Sequence, residues 1–240
     1  MSSALRSRLL PAAITAVMAI VCFSLGVWQL ERLQWKTNLI AERRAAVHAA
    51  PVPVPKTLDE ARRLEFHPVV AEGVFLNDKE IYLGAASPSG GQPGFQVLTP
   101  LRLADGRIVF VNRGYIPSAL KHPDKRAAGQ LAGPVRVTGL LRLPKGRPGW
   151  LVPDNRPDLN YWFWVDLPAM EAATGLSDVA PFYIDADATP NPGGWPKGGV
   201  TPIDLPNDHL QYAITWFALA AAAIVVYIVW QRQTGPPRHH

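Results

Sequence analysis

Two long apolar runs lie near the two ends of this chain, and the charged residues lie between them or outside them. Neither 9–30 nor 210–231 contains a charged side chain. An α-helix of about 20 residues, rising about 1.5 Å per residue, can cross a hydrocarbon core of about 30 Å. The pattern therefore predicts a membrane protein with transmembrane helices over 9–30 and 209–231 and with its polar chemistry in the loop between them.

The first run also resembles the apolar part of a secretory signal, because Arg6 and Arg8 precede it. It is longer than the usual h-region of about 7–15 residues, and no A-x-A cleavage site closes it. The run continues instead into Trp28, Arg32 and Trp35, an aromatic and charged border typical of a membrane interface. We therefore predict an uncleaved anchor.

Two spans place both termini on one side of the membrane, and basic flanks favour the inner side. The flanks contain Arg6, Arg8, Arg232 and Arg238. Asp204 and Asp208 before the second span favour the outer side there, whereas Arg32 and Lys36 after the first span argue against it. We predict a cytoplasmic tail over 232–240 and a large periplasmic loop. Residues 2–8 are short for a transit peptide, which favours a bacterial inner membrane over a mitochondrial one.

The loop begins with helical character and then changes to β character. Residues 31–56 are expected to form a juxtamembrane helix and a linker with alternating prolines at 51, 53 and 55. Thr57 and Glu60 have the spacing of a capping box, which predicts a short helix to about Leu64. Residues 57–206 are expected to form an extracytoplasmic, β-rich domain.

Seven short segments of that domain are β-branched or aromatic and are bounded by Gly, Pro or Asp. They are 68–75, 80–83, 95–103, 107–112, 135–143, 161–166 and 182–185. Asp105-Gly106 predicts a hairpin with a type I′ turn, which needs positive φ at both central residues. The apolar run 108–111 predicts a strand buried on both faces. One helix, Ala169–Thr174, is expected to end at Gly175.

The predicted fold class is membrane α+β. Two transmembrane helices at the chain ends flank a mostly antiparallel β domain, a small partly closed barrel or a sandwich. The 24 prolines and 19 glycines of the chain support this class, because they indicate many turns and argue against a helical bundle.

Composition and motifs exclude several classes of function. The net charge of +5 is modest, and no dense basic cluster interleaved with aromatic residues predicts nucleic-acid binding. The only cysteine, Cys22, lies in the first span and cannot form an intrachain disulfide. No catalytic signature such as G-x-S-x-G, H-E-x-x-H or a phosphate-binding loop occurs. We therefore expect a protein that is not an enzyme.

The unusual constellation lies at the outer membrane border. On a continued first helix, Trp28, Arg32 and Trp35 share one face, and on the second helix His209, Tyr212 and Trp216 share one face. With the loop outside, these faces lie at one depth and can form a pocket with the amides of Gln29 and Gln211. The alternative is an ordinary aromatic belt with snorkelling cations. Neutral imidazole is an axial ligand of heme iron, which favours the pocket.

Four blocks of sequence resemble the signature blocks of the Surfeit locus protein family, the assembly factors of heme–copper cytochrome oxidase. They are residues 26–36, 94–101, 111–117 and 209–217, which occur in order across nearly the whole chain. A further block is similar over Asp154, Asn155, Pro157, Asn160, Trp162 and Asp166.

The resemblance implies a factor that binds heme a and passes it to the catalytic subunit of cytochrome c oxidase. The family's histidine matches His209, the candidate contact to heme iron. Trp28, Gln29, Arg32, Tyr212, Trp216 and Arg113 complete the expected heme-binding set. The implied partners are the oxidase subunit, membrane lipid and the heme a synthesis machinery, with no nucleic acid.

Two positions depart from the family pattern. Tyr115 stands where tryptophan is frequent, and Asp208 stands where asparagine is common. A carboxylate beside His209 favours the charged imidazolium over the ligating form. A second reading also stays open, a scaffold without cofactor that stabilises an oxidase subunit during assembly. Arg113 is either a propionate contact or a structural residue, and Asn112 and Gly114 suit a turn at a strand end.

Overall fold

Both apolar runs form helices long and apolar enough to cross a membrane. The computed structural model describes residues 3–88, 90–201 and 206–233. Helix α1 spans Ser3–Val47 and helix α4 spans His209–Gln233. The side chains of Arg6 and Arg8, together with Asp204 and the tail after residue 233, lie outside the description.

The chain divides into two compact units. One, the helix unit, consists of Met1–Glu42 and Asp204–His240, and the other, the β unit, consists of Arg43–Ile203.

In the helix unit, α1 and α4 run antiparallel and touch along a seam of mostly small residues. The less exposed positions of α4 recur every three or four residues: His209, Ala213, Trp216, Ala220, Ala223 and Tyr227. Those of α1 follow the same rhythm: Ala12, Thr15, Ala19, Cys22, Gly26, Gln29 and Leu33. This spacing is typical of paired helices, and small residues let backbones approach closely in a membrane.

The contacts between the two helices show their direction. The rings of Phe23 and Phe217 meet edge to face at 5.4 Å between centroids. A side chain at Gly26 would meet the ring of Phe217 at 2.6 Å. Most other large apolar side chains of both helices are exposed, as in helices that face lipid.

In the β unit, seven strands form one sheet. They are β1 (Val52–Pro53), β2 (Pro68–Phe75), β3 (Ile81–Ala85), β4 (Gly94–Leu103), β5 (Ile108–Pro117), β6 (Pro134–Arg142) and β7 (Val179–Ala186). Their order is β1-β2-β6-β7-β5-β4-β3. Two short helices accompany them, α2 (Leu58–Arg63) and α3 (Leu167–Thr174).

A further pairing of β2 with β4 closes five of these strands into a barrel. Strand β6 returns to lie beside β2, which gives the Greek-key order of β6, β2, β4 and β5. Strands β5 and β7 pair in parallel, as do β1 and β2, while the other pairs are antiparallel. The mostly antiparallel domain is confirmed, and the barrel is closed rather than partly open.

Each of the five barrel strands contributes to one interior cluster, which includes Val69, Leu101, Val109, Leu141 and Phe182. A second cluster packs α3 against the outside of the sheet, through Leu167, Met170, Phe110, Tyr183 and Trp162. Successive residues of a strand face opposite sides, so β5 gives alternate residues to the two clusters. This arrangement explains why β5 is buried on both faces, as the apolar run 108–111 predicts.

The capping predictions are confirmed. Thr57 accepts a hydrogen bond from the Glu60 amide, and the Glu60 carboxylate accepts one from the Thr57 amide, so α2 begins with a full capping box. Helix α3 ends at Gly175, whose φ of 65° is left-handed and suits glycine.

The hairpin over Asp105-Gly106 joins β4 and β5, but the predicted type I′ turn is wrong. Gly106 has a φ of 89°, whereas no positive φ occurs at Asp105. The amide of Gly106 donates to Leu103 O, so the tight turn runs from Leu103 to Gly106. Asp105 stabilises the end of the turn through its side chain, because its carboxylate accepts a hydrogen bond from the Arg107 amide.

The segment 161–166 is not a regular strand, contrary to the prediction. It makes only isolated bridges, Leu83 with Trp162 and Arg156 with Tyr161. The side-chain oxygen of Asn155 accepts from the amides of Phe163 and Trp164, which replaces the missing strand partner. The predicted linker is also shorter than expected, since α1 continues to Val47 and β1 pairs with β2.

Candidate functional site

His209 is the first residue of α4 and lies against α1. Its imidazole is half-buried, and Nδ1 lies 2.7 Å from the side-chain oxygen of Gln29. An amide oxygen only accepts, so Nδ1 donates the proton, and in a neutral imidazole Nε2 then has the free lone pair. The imidazole is therefore held in one orientation with one nitrogen available to a ligand.

The seam explains why these two side chains meet. Gln29 follows Gly26 in the seam of α1, and His209 precedes Ala213 in the seam of α4. Ala213 is only 1% exposed, which reflects close approach of the helices at this level. A polar pair at seam positions between apolar helices fixes their register, because each group has few other partners.

A stack of Trp28, Arg32 and Trp35 lies on a neighbouring face of α1. The Arg32 guanidinium is 4.6 Å from the ring centroid of Trp35 and 6.0 Å from that of Trp28. Both indoles are about half exposed. One residue is about 100° of helix rotation, so the stack flanks Gln29 rather than sharing its face.

The stack and the imidazole are not in direct contact. Across the described residues, no hydrogen bond, ion pair or ring contact joins Arg32 or its two indoles to α4. Trp216 is half-buried in the seam two turns from His209, whereas Tyr212 is exposed and Gln211 is exposed beside it. The structure therefore brings together His209 and Gln29, and it leaves the other predicted side chains around them.

Asn207, which the sequence analysis did not single out, lies two residues before His209. The Asn207 amide nitrogen donates to the Thr37 hydroxyl at 3.4 Å. The Asn207 side-chain oxygen is buried and has no hydrogen-bond partner in the described chain. Asp208, between Asn207 and His209, is exposed and its main-chain oxygen accepts from the Tyr212 amide. Asn207 lies just before the block 209–217 that resembles the Surfeit locus family, and this position was the signal in the sequence that could have identified it.

Farther along the seam, the two helices border an apolar cleft. Its volume is ≈ 450 Å³, and its lining includes Met18, Leu219, Ala223, Val226 and Tyr227. Leu219 lies ten residues after His209, which corresponds to about 15 Å along a helix. The helix unit thus has an imidazole at one level and an apolar depression at another.

Arg113 lies in the β unit, in strand β5, and is 2% exposed. Its neighbours in the sequence are structural. The Asn112 amide donates to Asp185 and Gln96, and its oxygen accepts from the Gly114 amide. Gly114 has a φ of 110°, and a side chain there would collide with the main-chain oxygen of Lys197. Asn112 and Gly114 therefore hold the later part of β5 against its neighbours in the β unit.

The remaining histidines of the β unit do not form a site. His122 is exposed, whereas Nδ1 of His67 is buried and has no hydrogen-bond partner among the described residues. Within residues 3–88, 90–201 and 206–233, no group of three or more His, Cys, Asp or Glu side chains could hold a metal ion.

The chain is similar to several known proteins. The model of the SURF1 family matches residues 16–221, which include both seam partners and the whole barrel. The chain is 38% identical to Surfeit locus protein 1 of Homo sapiens over 221 residues, 86% of this chain and 72% of that protein. It is 39% identical to a SURF1-like protein of Monosiga brevicollis, over 90% of this chain and 85% of that protein. A SURF1-like protein of Drosophila melanogaster is 36% identical, over 88% and 73%. The chain belongs to the SURF1 family.

Proposed function

We propose that this protein binds heme a on its helix unit and passes it to the catalytic subunit of cytochrome c oxidase. Membership of the SURF1 family supports the broader role, a membrane-associated factor for oxidase assembly rather than a catalytic enzyme. The single observation that carries the finer proposal is the His209–Gln29 hydrogen bond, because it orients an imidazole and leaves Nε2 free.

His209 suits the role of an axial ligand. A ligating histidine generally donates its second ring N–H to an acceptor, which fixes the tautomer and the ring orientation. Gln29 supplies that acceptor here. The site also fits heme a better than a free metal ion, because one nitrogen donor is sufficient once a porphyrin occupies the other coordination positions.

The surroundings suit the other parts of heme a, which carries two propionates and a long apolar tail. Arg32 forms no ion pair within the described residues, and its guanidinium can donate charge-assisted hydrogen bonds to a propionate. The half-exposed Trp28 and the seam residue Trp216 offer ring faces to a macrocycle. The apolar cleft past Leu219 offers a surface to the tail.

Passing heme on requires that it also leaves. A single histidine at a half-exposed position holds iron through one bond, and the helix faces around it are open. Release to a partner then breaks one coordinate bond and a set of surface contacts. A buried site with two histidines would hold heme more tightly and would suit electron transfer better than delivery.

For location, we propose a bacterial inner membrane with the β unit in the periplasm. The basic flanks of the spans and the acidic residue before α4 support this orientation. The relatives compared above are all eukaryotic, so the host compartment rests on the sequence of this chain alone.

The test is purification of the full chain in detergent from cells that make heme a. We expect the wild type to carry heme with an optical spectrum of imidazole-ligated iron, and His209→Ala to lose heme by about tenfold or more. His122→Ala is the matched control, because His122 is exposed in the β unit, and it should keep the wild-type heme content.

Oxidase assembly in cells lacking the endogenous factor is scored in parallel. If the wild type carries no heme and His209→Ala assembles oxidase normally, the ligand role is wrong. That result would support the scaffold without cofactor, in which the exposed helix faces hold an oxidase subunit during assembly.

A further inference from the structure

Three arginines of the β unit have largely buried side chains, and two of them are paired with a carboxylate. Arg126 pairs with Glu80 through both terminal nitrogens. Arg142 pairs with Asp185 at 2.7 Å. Buried charges are expensive unless they are paired, so these two pairs follow the usual rule. Arg113 is 2% exposed and makes no ion pair in the described chain.

The hydrogen bonds of Arg113 leave donors unused. Nη2 donates to Gly129 O at 2.6 Å and to the Asn191 side-chain oxygen at 2.9 Å. The guanidinium lies 4.6 Å from the ring centroid of Phe75. Nη1 is buried and has no acceptor among the described residues. A guanidinium has five N–H donors in a planar fork, so part of this fork is left without a partner.

The pKa values of the buried arginines agree with this count of unused hydrogen-bond donors. Burial lowers the pKa of the Arg113 guanidinium to about 10, and the charge of Glu80 offsets only part of the effect. Arg126 is also buried, but its hydrogen bonds to Glu80 and the Glu80 charge raise its pKa above the ordinary value. The contrast shows what a directly bound carboxylate supplies to Arg126 and what Arg113 lacks.

Arg113 also lines a cavity of ≈ 150 Å³ in the β unit. The lining combines apolar side chains, which include Phe75, Val111, Leu131 and Val137, with polar and charged ones. A cavity of this volume can hold a molecule about the size of benzene. The half-buried Asn191 also lines the cavity, and its side-chain oxygen already accepts from Nη2 of Arg113.

We propose that this cavity binds a compact monocarboxylate, with the carboxylate on Arg113 and the apolar stem against the surrounding aliphatic side chains. A carboxylate accepts from the guanidinium fork, and it supplies the missing partner of a buried charge. Asp187 also lines the cavity and accepts a hydrogen bond from the Thr189 amide. Its charge disfavours a ligand with more than one negative charge.

The probe is sodium butyrate, added at constant ionic strength to the full chain purified without heme. The midpoint of thermal unfolding should rise by about 3–5 °C when butyrate is at ten times its dissociation constant. Butyramide, which has nearly the same shape without the charge, should leave the midpoint unchanged. Affinity should increase about threefold for each methylene from acetate to butyrate, because each added group is buried.

Two variants test whether the Arg113 guanidinium itself, rather than the positive charge of the β unit in general, is needed for the butyrate effect. Arg113→Met keeps an unbranched apolar stem and should abolish the butyrate effect. Arg62→Met is the matched control, because Arg62 is exposed on α2, pairs with Asp59 and is not part of the cavity lining, and it should keep the butyrate effect.

Equal shifts with butyrate and butyramide, or an undiminished butyrate effect in Arg113→Met, would overturn the proposal. So would the absence of a saturable effect in the wild type, which would indicate that only water meets the guanidinium. If Arg113→Met does not fold, the wild-type comparison of the two probes decides. His209→Ala should bind butyrate normally, so failure of the heme proposal leaves this one standing.

Discussion

The two units of this protein differ in where their polar side chains lie. In the β unit, polar side chains are buried in networks, as where Glu80 accepts from Arg126, Tyr82 and Gln130. In the helix unit, His209 pairs with Gln29 in a seam of mostly small residues, and large apolar side chains face outward.

The difference teaches where stability and ligand chemistry reside. A buried and fully satisfied network makes a domain depend on each member, because removal of one partner leaves an unpaired charge. A thin seam with outward apolar faces depends instead on the lipid or protein that covers it. Substitutions in the β unit should therefore change unfolding, and those in the helix unit should change helix contact and ligand binding.

The largest effect is expected at the Glu80–Arg126 pair, whose side chains are 2% and 1% exposed. Glu80→Gln leaves a buried guanidinium without its carboxylate and should lower the free energy of unfolding by about 3–5 kcal/mol. Denaturant unfolding followed by tryptophan fluorescence measures the change.

A surface pair in the same unit is the matched control. Glu72 and Arg136 form an ion pair of 2.9 Å with side chains 65% and 69% exposed. Glu72→Gln should cost less than about 1 kcal/mol, because water screens exposed charges. A loss at Glu72 as large as that at Glu80 would contradict the role assigned to burial.

A smaller effect is expected from pH. Burial, with a contribution from the charge of Asp185, raises the pKa of Tyr183 to about 12. An unfolded phenol ionises near pH 10. Between about pH 10 and 12 the unfolded state has therefore lost a proton that the folded state keeps, and the free energy of unfolding falls as pH rises.

The contribution of Tyr183 is complete below about pH 10 and should fall by about 2 kcal/mol as pH approaches 12. Denaturant unfolding at several pH values, compared with Tyr183→Phe, isolates this phenol. Tyr212→Phe, in the exposed face of α4, is the control. Identical pH profiles for the wild type and Tyr183→Phe would remove Tyr183 as the cause.

The smallest effect on stability is expected in the helix unit, at Gly26. A leucine there would collide with Phe217 and separate the two helices. The free energy of unfolding of the β unit should change by less than about 0.5 kcal/mol. Disulfide formation between cysteines placed at 29 and 209, in a Cys22→Ser background, should fall severalfold.

Ala16→Leu is the matched control, because Ala16 is exposed on α1 and away from the seam. It should leave the disulfide yield unchanged. If Gly26→Leu destabilises the β unit as strongly as Glu80→Gln does, then the prediction that substitutions in the helix unit leave the stability of the β unit unchanged is wrong.

Much of the fold could be predicted from the sequence, because its signals are local. The apolar runs gave both long helices, and period-2 segments bounded by turn residues located six strands, including 68–75 with its observed bounds. Thr57, Glu60 and Gly175 fixed helix ends through contacts within a few residues. The strand prediction for 161–166 was wrong because amides of this segment donate to the Asn155 side chain. Hydrophobic period and strand propensity do not reveal such a side-chain partner.

The candidate site was less predictable, because it depends on how α1 and α4 are rotated. Spacing on each helix identified a Trp28–Arg32–Trp35 face and a His209–Trp216 face. It could not show that Gln29, rather than Arg32, is the residue that meets the imidazole. The cavity at Arg113 was equally hidden, since its lining comes from distant strands and loops that only the closed barrel brings together.

The parallel pairing of β5 with β7 has a consequence for synthesis. β5 ends at Pro117, but its neighbour in the barrel begins at Val179. A ribosome adds about 5–20 residues per second, so a nascent chain holds an uncovered apolar β5 for several seconds. During that interval the unpaired edge is open to aggregation or to a holding chaperone. A chain truncated before Val179 should remain in that vulnerable state permanently.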